Sequence, residues 1–453
     1  MKKLIIAAVA AVLGVGLLFV VGVLGSRIMK QHIAPSIRRQ SAVHGEPAPA
    51  APLPASVLEV PPSAEGDRGF IYARVTMTDG ATYQGRLRFG DGHEAFWGDT
   101  FSGVKKDNPW LAQLKPAEIP KQSHSVEIFG WKLGEHTRTM NVTRLLTARF
   151  GEIAKLEAVG RLVRVTLKSG SVVDVDSFNA GDIDDDVRVW DPRGVMELDS
   201  TRISSIEMLP TRAVTDAPAR LHGTVRSRQG DFTGFIVWNW DQRVGDDELD
   251  GRDAEGVEQH VRFDTTRSIE NKAHNRALVV LQNGRELELS GASDVSDKNR
   301  GILVDDPRFG RVVFSWRTFE RVDFSPADSG PGYDDYPAGT NISGTVTTRD
   351  GKKLTGRIVY DLDESETTDM LDGSFDGVDY HIPFGMVASI VPSEDHPTRV
   401  TLRNGKEVQL EWDGDVGKQN AGELVFVGGT STYIPWANVA RVDFDPPKGE
   451  RPL

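Results

Sequence analysis

A glycine-centred turn recurs six times along the chain, each time within a run of alternating apolar and polar residues. The six turns are Asp79-Gly80, Ser169-Gly170, Gln229-Gly230, Asn283-Gly284, Asp350-Gly351 and Asn404-Gly405. Asn-Gly and Asp-Gly between alternating apolar residues are the strongest short-range signal of a β-hairpin. A motif that recurs in this way indicates a repeat architecture. The sequence therefore predicts an all-β protein built from repeated strand–turn–strand units.

The spacing of the turns groups them into pairs. Gly230 and Gly284 are 54 residues apart, as are Gly351 and Gly405. Proline-rich and glycine-rich breaks separate the pairs near residues 209–218 and 325–338. This grouping predicts three tandem domains, at 68–209, 219–326 and 340–447, each made of two related units. The first domain is longer because of an insertion at about 101–140, which we expect to be a long loop.

Each unit has the same general plan. It starts with a strand–turn–strand and carries a glycine inside the second strand. It ends on an aromatic residue followed by two β-branched or apolar residues at three-residue steps, as in Trp316/Phe319/Val322 and Trp436/Val439/Val442. In these features the units resemble Sm-like and SH3-like small barrels, and the resemblance implies small β-barrel or sandwich units without implying a function. The alternative is a six-bladed β-propeller, but the breaks between pairs favour separate small domains.

The N-terminus predicts a membrane segment. Met1-Lys2-Lys3 precedes an apolar run from Leu4 to Gly25, and twenty-two residues at ~1.5 Å each can cross a ~30 Å hydrocarbon layer. We assign residues 1–26 as a transmembrane anchor, with a cleaved signal peptide as the alternative. Residues 27–67 form a basic flank and a Pro/Ala-rich stalk. The expected location is the cell membrane, single-pass, with the body periplasmic or extracellular.

Composition excludes several function classes. The chain has 53 basic and 66 acidic residues, a net charge of −13, which argues against nucleic acid as a partner. It has no cysteine, so disulfides, thiolate catalysis and cysteine-based zinc sites are excluded. No P-loop, dinucleotide fingerprint, nucleophile elbow or zinc-protease helix occurs. We therefore predict no cofactor and no enzyme activity.

Two aspartate–asparagine pairs recur at identical offsets from the turn glycine of their repeats: Asp294 with Asn299, and Asp415 with Asn420. Residues 179–183 hold only a degenerate counterpart in the first domain. Such pairs could contact a cation or a polar ligand. The alternative, which we favour, is that they bond neighbouring backbone amides, as turn-forming Asp and Asn do.

Acidic stretches at 246–251 and 369–373 align with each other, and four further carboxylates precede the second stretch: Asp361, Asp363, Glu364 and Glu366. Calcium takes six to eight oxygen ligands, which stretches of this kind can supply. No recognised calcium-loop spacing is present, however. We expect acidic, solvated loops joining strands, with calcium binding that rigidifies the domain array as the weaker hypothesis.

Tryptophans and lysines outside the repeat positions are the remaining candidates for partner contact. Trp238 and Trp240 are spaced to share one face of a strand, and the insertion carries Lys105, Lys106 and Trp110. Exposed aromatic residues can stack on sugars or peptides, although core packing is the commoner role. If one segment contacts a specific partner, we expect it to be the insertion.

These observations predict a membrane-anchored binding or scaffolding protein. Its partner would be a protein, an envelope polymer or another copy of the chain, reached through open sheet edges. The alternative is a hydrolase acting on envelope carbohydrate or peptide, with carboxylates in a cleft between units.

Overall fold

The computed structural model describes residues 68–447, apart from 90–91, 97, 117, 119–120, 129–130, 140–143, 177–185, 213–217, 328–330, 394–396 and 412–414, and of residues 121–139 it describes the backbone alone. The predicted anchor and stalk lie outside the described residues, as does the degenerate motif at 179–183. Within the described residues the helices are short 3-10 turns, and none is long and apolar enough to cross a membrane. The described part of the chain is all-β, which confirms that part of the prediction.

The first segment of the described chain contains twelve strands. Their bounds are β1 Tyr72–Met77, β2 Thr82–Phe89, β3 Thr100–Val104, β4 Lys121–Ile128, β5 Trp131–Thr139, β6 Leu145–Arg149, β7 Ile153–Val159, β8 Leu162–Leu167, β9 Val172–Asp176, β10 Val187–Asp191, β11 Gly194–Leu198 and β12 Ile203–Leu209. β3 pairs with β6, and β4 pairs with β5 in a sheet of their own.

The insertion at 101–140 is thus not the long loop that we expected. It contains part of β3, a 3-10 turn at Pro109–Gln113, and the paired strands β4 and β5. Polar residues such as Ser, His and Thr fill many of the paired positions in β4 and β5. The alternation of apolar and polar residues that signals a strand is therefore weak in this stretch of the sequence.

The two later segments contain ten strands each. In the second segment they are β13 His222–Ser227, β14 Gly230–Trp238, β15 Glu248–Arg252, β16 Glu258–Arg262, β17 Thr266–Ala273, β18 Arg276–Leu281, β19 Glu286–Ser290, β20 Ile302–Asp306, β21 Gly310–Phe314 and β22 Phe319–Phe324. In the third they are β23 Ser343–Thr348, β24 Lys353–Val359, β25 Met370–Phe375, β26 Val378–Pro383, β27 Val387–Val391, β28 Thr398–Leu402, β29 Glu407–Leu410, β30 Glu423–Val427, β31 Thr430–Ile434 and β32 Val439–Phe444.

Three large sheets share one strand order. The first sheet runs β11-β10-β2-β1-β12-β7-β8-β9, and the last sheet runs β31-β30-β24-β23-β32-β27-β28-β29. The middle sheet contains β21-β20-β14-β13-β22-β17-β18-β19 in the corresponding order, extended at one end by β15-β16 and at the other by β26-β25. None of the sheets closes on itself. Sheets of eight and twelve strands differ from the four-stranded blades of the propeller alternative.

Two kinds of glycine hold the repeated hairpins in shape. The six turn glycines all have positive φ, between 81° and 124°, which other residues rarely adopt. The glycine inside the second strand is required for a different reason. A Cβ added at Gly234 would lie 2.0 Å from the carbonyl oxygen of Asp305, and one at Gly356 would lie 1.9 Å from that of Phe426. Only glycine allows the neighbouring strand to approach so closely.

Apolar side chains on the inner strand faces form two main cores. One lies within the first sheet, and the other is continuous between the middle and last sheets. The continuity arises at β21 and β26, which pair antiparallel from Arg311↔His381 to Phe314↔Val378. The buried Phe232 and Tyr380 rings also meet there, with centroids 6.4 Å apart. The two sheets are therefore joined by backbone pairing as well as by side-chain packing.

The segment between β22 and β23 packs on the first sheet. Tyr336 is buried in the core of that sheet and its hydroxyl donates to the carbonyl oxygen of Phe96. The Tyr333 hydroxyl donates to the carbonyl oxygen of Ile153 at 3.0 Å, and the Lys168 ammonium lies 3.6 Å from the Tyr333 ring centroid. A link late in the chain thus completes the core of its first segment.

Candidate functional site

The turn that follows β24 brings acidic residues into the protein interior. Asp361 and Leu362 have positive φ, 48° and 54°, so the chain reverses sharply at the end of the strand. The corresponding turn after β14 contains Asn239 and Trp240 with φ of 53° and 63°. Residues after each turn then lead into β15 or β25. This geometry places the Asp361 side chain under the sheet rather than in solvent, where it is 2 % exposed.

Four carboxylates meet below this turn: Asp361, Glu364, Asp415 and Glu423, which we call the carboxylate cluster. Oxygen atoms of Asp361, Glu364 and Asp415 all lie within 4.8 Å of one another. Glu423, the first residue of β30, is completely buried beside them, and its charge interacts with those of Asp361 and Asp415. Our expectation of a solvated acidic loop is wrong here, since Asp363, Glu364 and Glu366 are also buried.

Hydrogen bonds satisfy only part of this cluster. Asp361 Oδ1 accepts from the backbone N–H of Ala421, and Asp415 Oδ2 accepts from that of Asp372 at 2.7 Å. With the residues that the structure describes, Glu364 Oε2 and both carboxylate oxygens of Glu423 make no hydrogen bond of normal geometry. An unsatisfied buried carboxylate is costly unless it is protonated or meets a cation.

Two cations from the first segment approach the cluster. Arg144 Nη2 donates to Asp361 Oδ1 at 3.0 Å, and Lys105 Nζ donates to Asp363 Oδ1 at 2.8 Å. Both project from one end of the β3–β6 ladder, where the Lys105 backbone N–H donates to the Arg144 carbonyl at 2.9 Å. The cluster and Asp363 together carry five carboxylates, so these two ion pairs leave most of the negative charge without a cation.

Burial shifts the titration of these groups strongly. It raises the pKa of Asp361 to about 7, although Arg144 opposes the shift. Burial also raises the pKa values of Glu364, Asp415 and Glu423 well above their usual range. For Lys105, burial alone would lower the pKa, but the charges of Asp363 and Asp369 raise it. At neutral pH the cluster therefore takes up protons unless another positive charge compensates it.

The middle sheet holds a neutralised counterpart of the cluster. Asn239 replaces Asp361, Gln242 replaces Glu364, Ile302 replaces Glu423, and only Asp294, the counterpart of Asp415, stays acidic. Asn239 Nδ2 and Gln242 Nε2 donate to the Asp294 carboxylate at 2.8 and 3.3 Å. The Asp250 N–H adds a bond at 2.9 Å. Amides thus stabilise a single carboxylate where the last sheet places four, although burial still raises the pKa of Asp294 to about 6.

Asn299 and Asn420 stabilise the turns that follow Asp294 and Asp415. Asn299 Oδ1 accepts the N–H of Gly301 at 2.9 Å, and Asn420 Oδ1 accepts that of Gly422 at 2.7 Å. Both amide groups also donate back to the carbonyl oxygen of the paired aspartate. The asparagines make the turn-forming bonds we favoured, while Asp294 and Asp415 point into the two buried sites.

The start of the insertion packs against the turn that carries Asp361. Asn108 Nδ2 donates to the carbonyl oxygen of Leu362 at 2.9 Å. Trp110 is half-buried, with its ring 6.2 Å from that of Phe426 and the Arg357 guanidinium 4.9 Å from its centroid. Trp110 therefore contacts the last sheet of its own chain. Lys106 is exposed and does not join the cluster.

The two remaining tryptophan candidates lie apart from the cluster and do not share a strand face. β14 ends at Trp238, which is completely buried and donates from Nε1 to the carbonyl oxygen of Asp294 at 3.0 Å. Trp240 lies in the following turn, half-buried, and its Nε1 donates to the Arg300 carbonyl at 2.9 Å. The positive φ angles at 239 and 240 break the two-residue alternation on which the prediction rested.

Sequence reasoning missed Glu423 and Arg144 as site residues. Glu423 begins an apolar strand, and its counterpart is Ile302, so an alignment of the second and third repeats would have revealed the exception. Arg144 offers no such signal, because it approaches Asp361 from a distant part of the chain.

A second acidic group lies on the surface. Carboxylates of Glu248 and Asp250 lie near His260 on the β15–β16 hairpin, with His260 Nδ1 2.7 Å from Asp250 Oδ1. The hydrogen bond to Asp250 raises the pKa of His260. All three residues are exposed, and the same histidine–aspartate contact recurs as His381–Asp372 at 2.7 Å. It is a repeated cross-strand pair of a β-hairpin.

Comparison of the chain with protein-family models, with curated proteins and with solved structures found no match.

Proposed function

We propose that this protein is a membrane-tethered binding or scaffolding protein that presents three tandem β-domains, at 68–209, 219–326 and 340–447, outside the cytoplasm. The observation that carries the proposal is the strand order shared by the three large sheets, together with the contacts that link them. The apolar segment at 4–25 would anchor the chain, and the Pro/Ala-rich stretch would hold the domains away from the membrane.

We further propose that each domain consists of two five-strand units of the small-barrel type that exchange strands. In the middle domain, β13 and β14 pair with β22 and β20, whereas β18 and β19 pair with β17 and β15. The first two strands of each half therefore complete the sheet of the other half. This exchange explains why two similar sequence units behave as one structural body.

Edge pairing supports a binding role. β21 and β26 join two sheets through backbone hydrogen bonds, which is the same mode by which extended peptides add to an open edge. β11 and β31 are sheet ends in the described chain, and Val195 on β11 is 58 % exposed. We propose these edges as the contact surface for a protein partner, an envelope polymer or another copy of the chain.

The burial of the carboxylate cluster favours binding over the hydrolase alternative. A hydrolase of that kind needs two carboxylates facing a substrate across a cleft. Asp361, Glu364 and Glu423 are instead buried, and Trp110 packs on the apolar group that includes Leu362 and Leu424. Release of products from purified envelope polymer by the wild type, lost in Asp415→Asn, would reverse this conclusion.

Crosslinking in intact cells tests the binding proposal. A photoreactive residue at Val195 on the open edge should give a discrete crosslinked partner or dimer. The same residue at Val159, which is 38 % exposed at the tip of the β7–β8 hairpin, is the matched control and should not. Equal products from both positions would contradict recognition through the edge.

Two simple assays test the tether. The full-length protein should stay with membranes after an alkaline wash, and a variant lacking residues 1–26 should not. Protease added to spheroplasts should digest the body. A body that resists protease until the cells are lysed would place it in the cytoplasm and contradict the proposed orientation.

A further inference from the structure

The carboxylate cluster contains buried oxygens that the described residues satisfy poorly. Glu423 is 0 % exposed, and neither of its oxygens makes a hydrogen bond of normal geometry with a described residue; only the backbone N–H of Asp361 approaches it as a donor. Glu364 Oε2 likewise makes no hydrogen bond of normal geometry with a described residue. Nearby donors bind other atoms: Arg144 binds Asp361, and Lys105 binds Asp363. The cluster therefore has both unused oxygen ligands and uncompensated negative charge.

The spacing of these oxygens suits one ion. Calcium–oxygen distances are about 2.3–2.6 Å, so two oxygens bound to the same calcium lie at most about 5 Å apart. Oxygens of Asp361, Glu364 and Asp415 meet this limit in every pair, at 4.8 Å or less. Magnesium–oxygen distances are about 2.0–2.1 Å, so magnesium accepts only oxygens that lie within about 4.2 Å of one another.

The middle sheet shows how the same fold stabilises a single buried carboxylate with protein donors. There, Asn239 and Gln242 donate hydrogen bonds to Asp294, and Ile302 fills the fourth position with an apolar side chain. Carboxylates at the corresponding positions of the last sheet cannot donate such bonds when ionised. The difference between the two sites is thus a replacement of amide donors by oxygen ligands.

We propose that Asp361, Glu364 and Asp415, with Glu423 behind them, form a buried binding site for a divalent cation that prefers oxygen ligands, with Ca²⁺ as the best fit. The ion would supply the positive charge that Arg144 and Lys105 leave unmatched. It would also stabilise the turn after β24, against which Asn108 and Trp110 of the first segment pack. This inference is independent of the proposed scaffolding role.

Metal binding by the full-length protein tests the proposal. The protein is purified in detergent, stripped with a chelator, and dialysed against Ca²⁺, Mg²⁺ or Mn²⁺ before its metal content is measured. We expect about one Ca²⁺ per chain and a higher melting temperature. At a free Ca²⁺ concentration about 100 times Kd, the ratio of folded to unfolded protein should rise about 100-fold.

A variant that copies the middle sheet provides the matched control. The triple variant gives Asp415 the same neighbours that Asp294 has in the middle sheet; its substitutions are Asp361→Asn, Glu364→Gln and Glu423→Ile. The variant should therefore fold, which circular dichroism checks. It should bind no Ca²⁺ and melt at the same temperature with and without chelator. Asp250→Asn, in the exposed group on β15, should leave Ca²⁺ binding unchanged.

Three outcomes would overturn the proposal. The first is no bound divalent ion in the wild type at about 1 mM Ca²⁺, the weak end of the range for extracellular calcium modules. The second is equal binding by the wild type and the triple variant, which would place the ion elsewhere. The third is that none of the three ions changes the melting temperature of the wild type. Bound protons would then neutralise the carboxylate cluster.

Discussion

The buried ion pair between Asp99 and Arg243 gives the sharpest prediction about how the sheets hold together. Arg243 follows β14 and is completely buried, and its Nη2 lies 3.0 Å from Asp99 Oδ1 of the first segment. Asp99 also accepts the backbone N–H groups of Glu94 and Ala95 at 3.0 and 2.9 Å and lies 2.9 Å from His93 Nδ1. We predict that Asp99→Asn weakens the contact between the first and middle sheets.

The lowered pKa of Asp99 and the burial of both charges set the size of the effect. Burial alone would raise the pKa of Asp99, but Arg243 and His93 outweigh burial and hold it at about 2, against an ordinary 3.8. A shift of nearly two units corresponds to about 2.5 kcal/mol of stability at neutral pH. Removing one partner of a buried pair costs about 3–5 kcal/mol because the other charge stays buried. An exposed pair would cost at most about 1 kcal/mol.

A double-mutant cycle measures the pair directly. Asp99→Asn, Arg243→Met and the double variant are unfolded in urea and followed by tryptophan fluorescence, comparing the first transition because a chain of this size need not unfold in one step. We expect Asp99→Asn to cost about 3 kcal/mol and the coupling energy to exceed about 2 kcal/mol. The contribution of Asp99 should disappear as pH falls from about 4 to about 2, since its pKa is lowered in the folded state.

Asp369 is the matched control, because it accepts two backbone N–H groups in the last sheet in the same way, at 2.6 and 2.9 Å. Among the described residues it makes no ion pair within 4 Å. If Asp99→Asn costs no more than Asp369→Asn, or if the coupling energy is below about 0.5 kcal/mol, the ion pair does not hold the two sheets together.

Three further predictions concern the contacts between segments and the middle site. Gly151→Ala should lower the free energy of unfolding by about 1–3 kcal/mol and expose residues 331–339 to protease, because the new Cβ would lie 2.2 Å from the Tyr336 ring. Gly385→Ala is the milder control, since its new Cβ would have its nearest neighbour at 3.2 Å. Trp110→Ala should cost about 1–3 kcal/mol and speed amide exchange in the turn after β24, and unchanged exchange there would contradict the packing. Burial raises the pKa of Asp294 to about 6 in the folded protein, so the folded state keeps the proton that the unfolded chain releases. As pH rises from 4 to 6, the free energy of unfolding of the wild type should therefore fall by about 3 kcal/mol relative to that of Asp294→Asn. Urea-unfolding free energies of the two proteins that stay parallel over this pH range would contradict this.

The hairpins could be predicted because their causes are local. Each turn glycine needs a positive φ, and the flanking residues alternate over a few positions, so both signals lie within one short stretch of sequence. The asparagine bonds of Asn299 and Asn420 are local in the same sense, since each spans two residues.

The burial of the acidic residues could not be predicted in this way. Asp361 and Glu364 lie in a stretch whose composition indicates a solvated loop, and their burial depends on groups far away in sequence. Arg144 and Asn108 cover the turn from more than two hundred residues upstream. These contacts are tertiary, so no periodicity near Asp361 reports them.

The packing of Tyr336 in the first core sets the order in which the chain can finish folding. The last strand of the first sheet ends at Leu209, but the aromatic ring that fills its core is synthesised about 130 residues later. At ~5–20 residues per second, the first segment waits roughly 6–25 s with an open apolar gap beside Gly151. During that interval the place of the Tyr336 ring is open to an exposed aromatic side chain from another source. A chaperone, or a neighbouring nascent chain, therefore competes with the protein's own tyrosine for the same place.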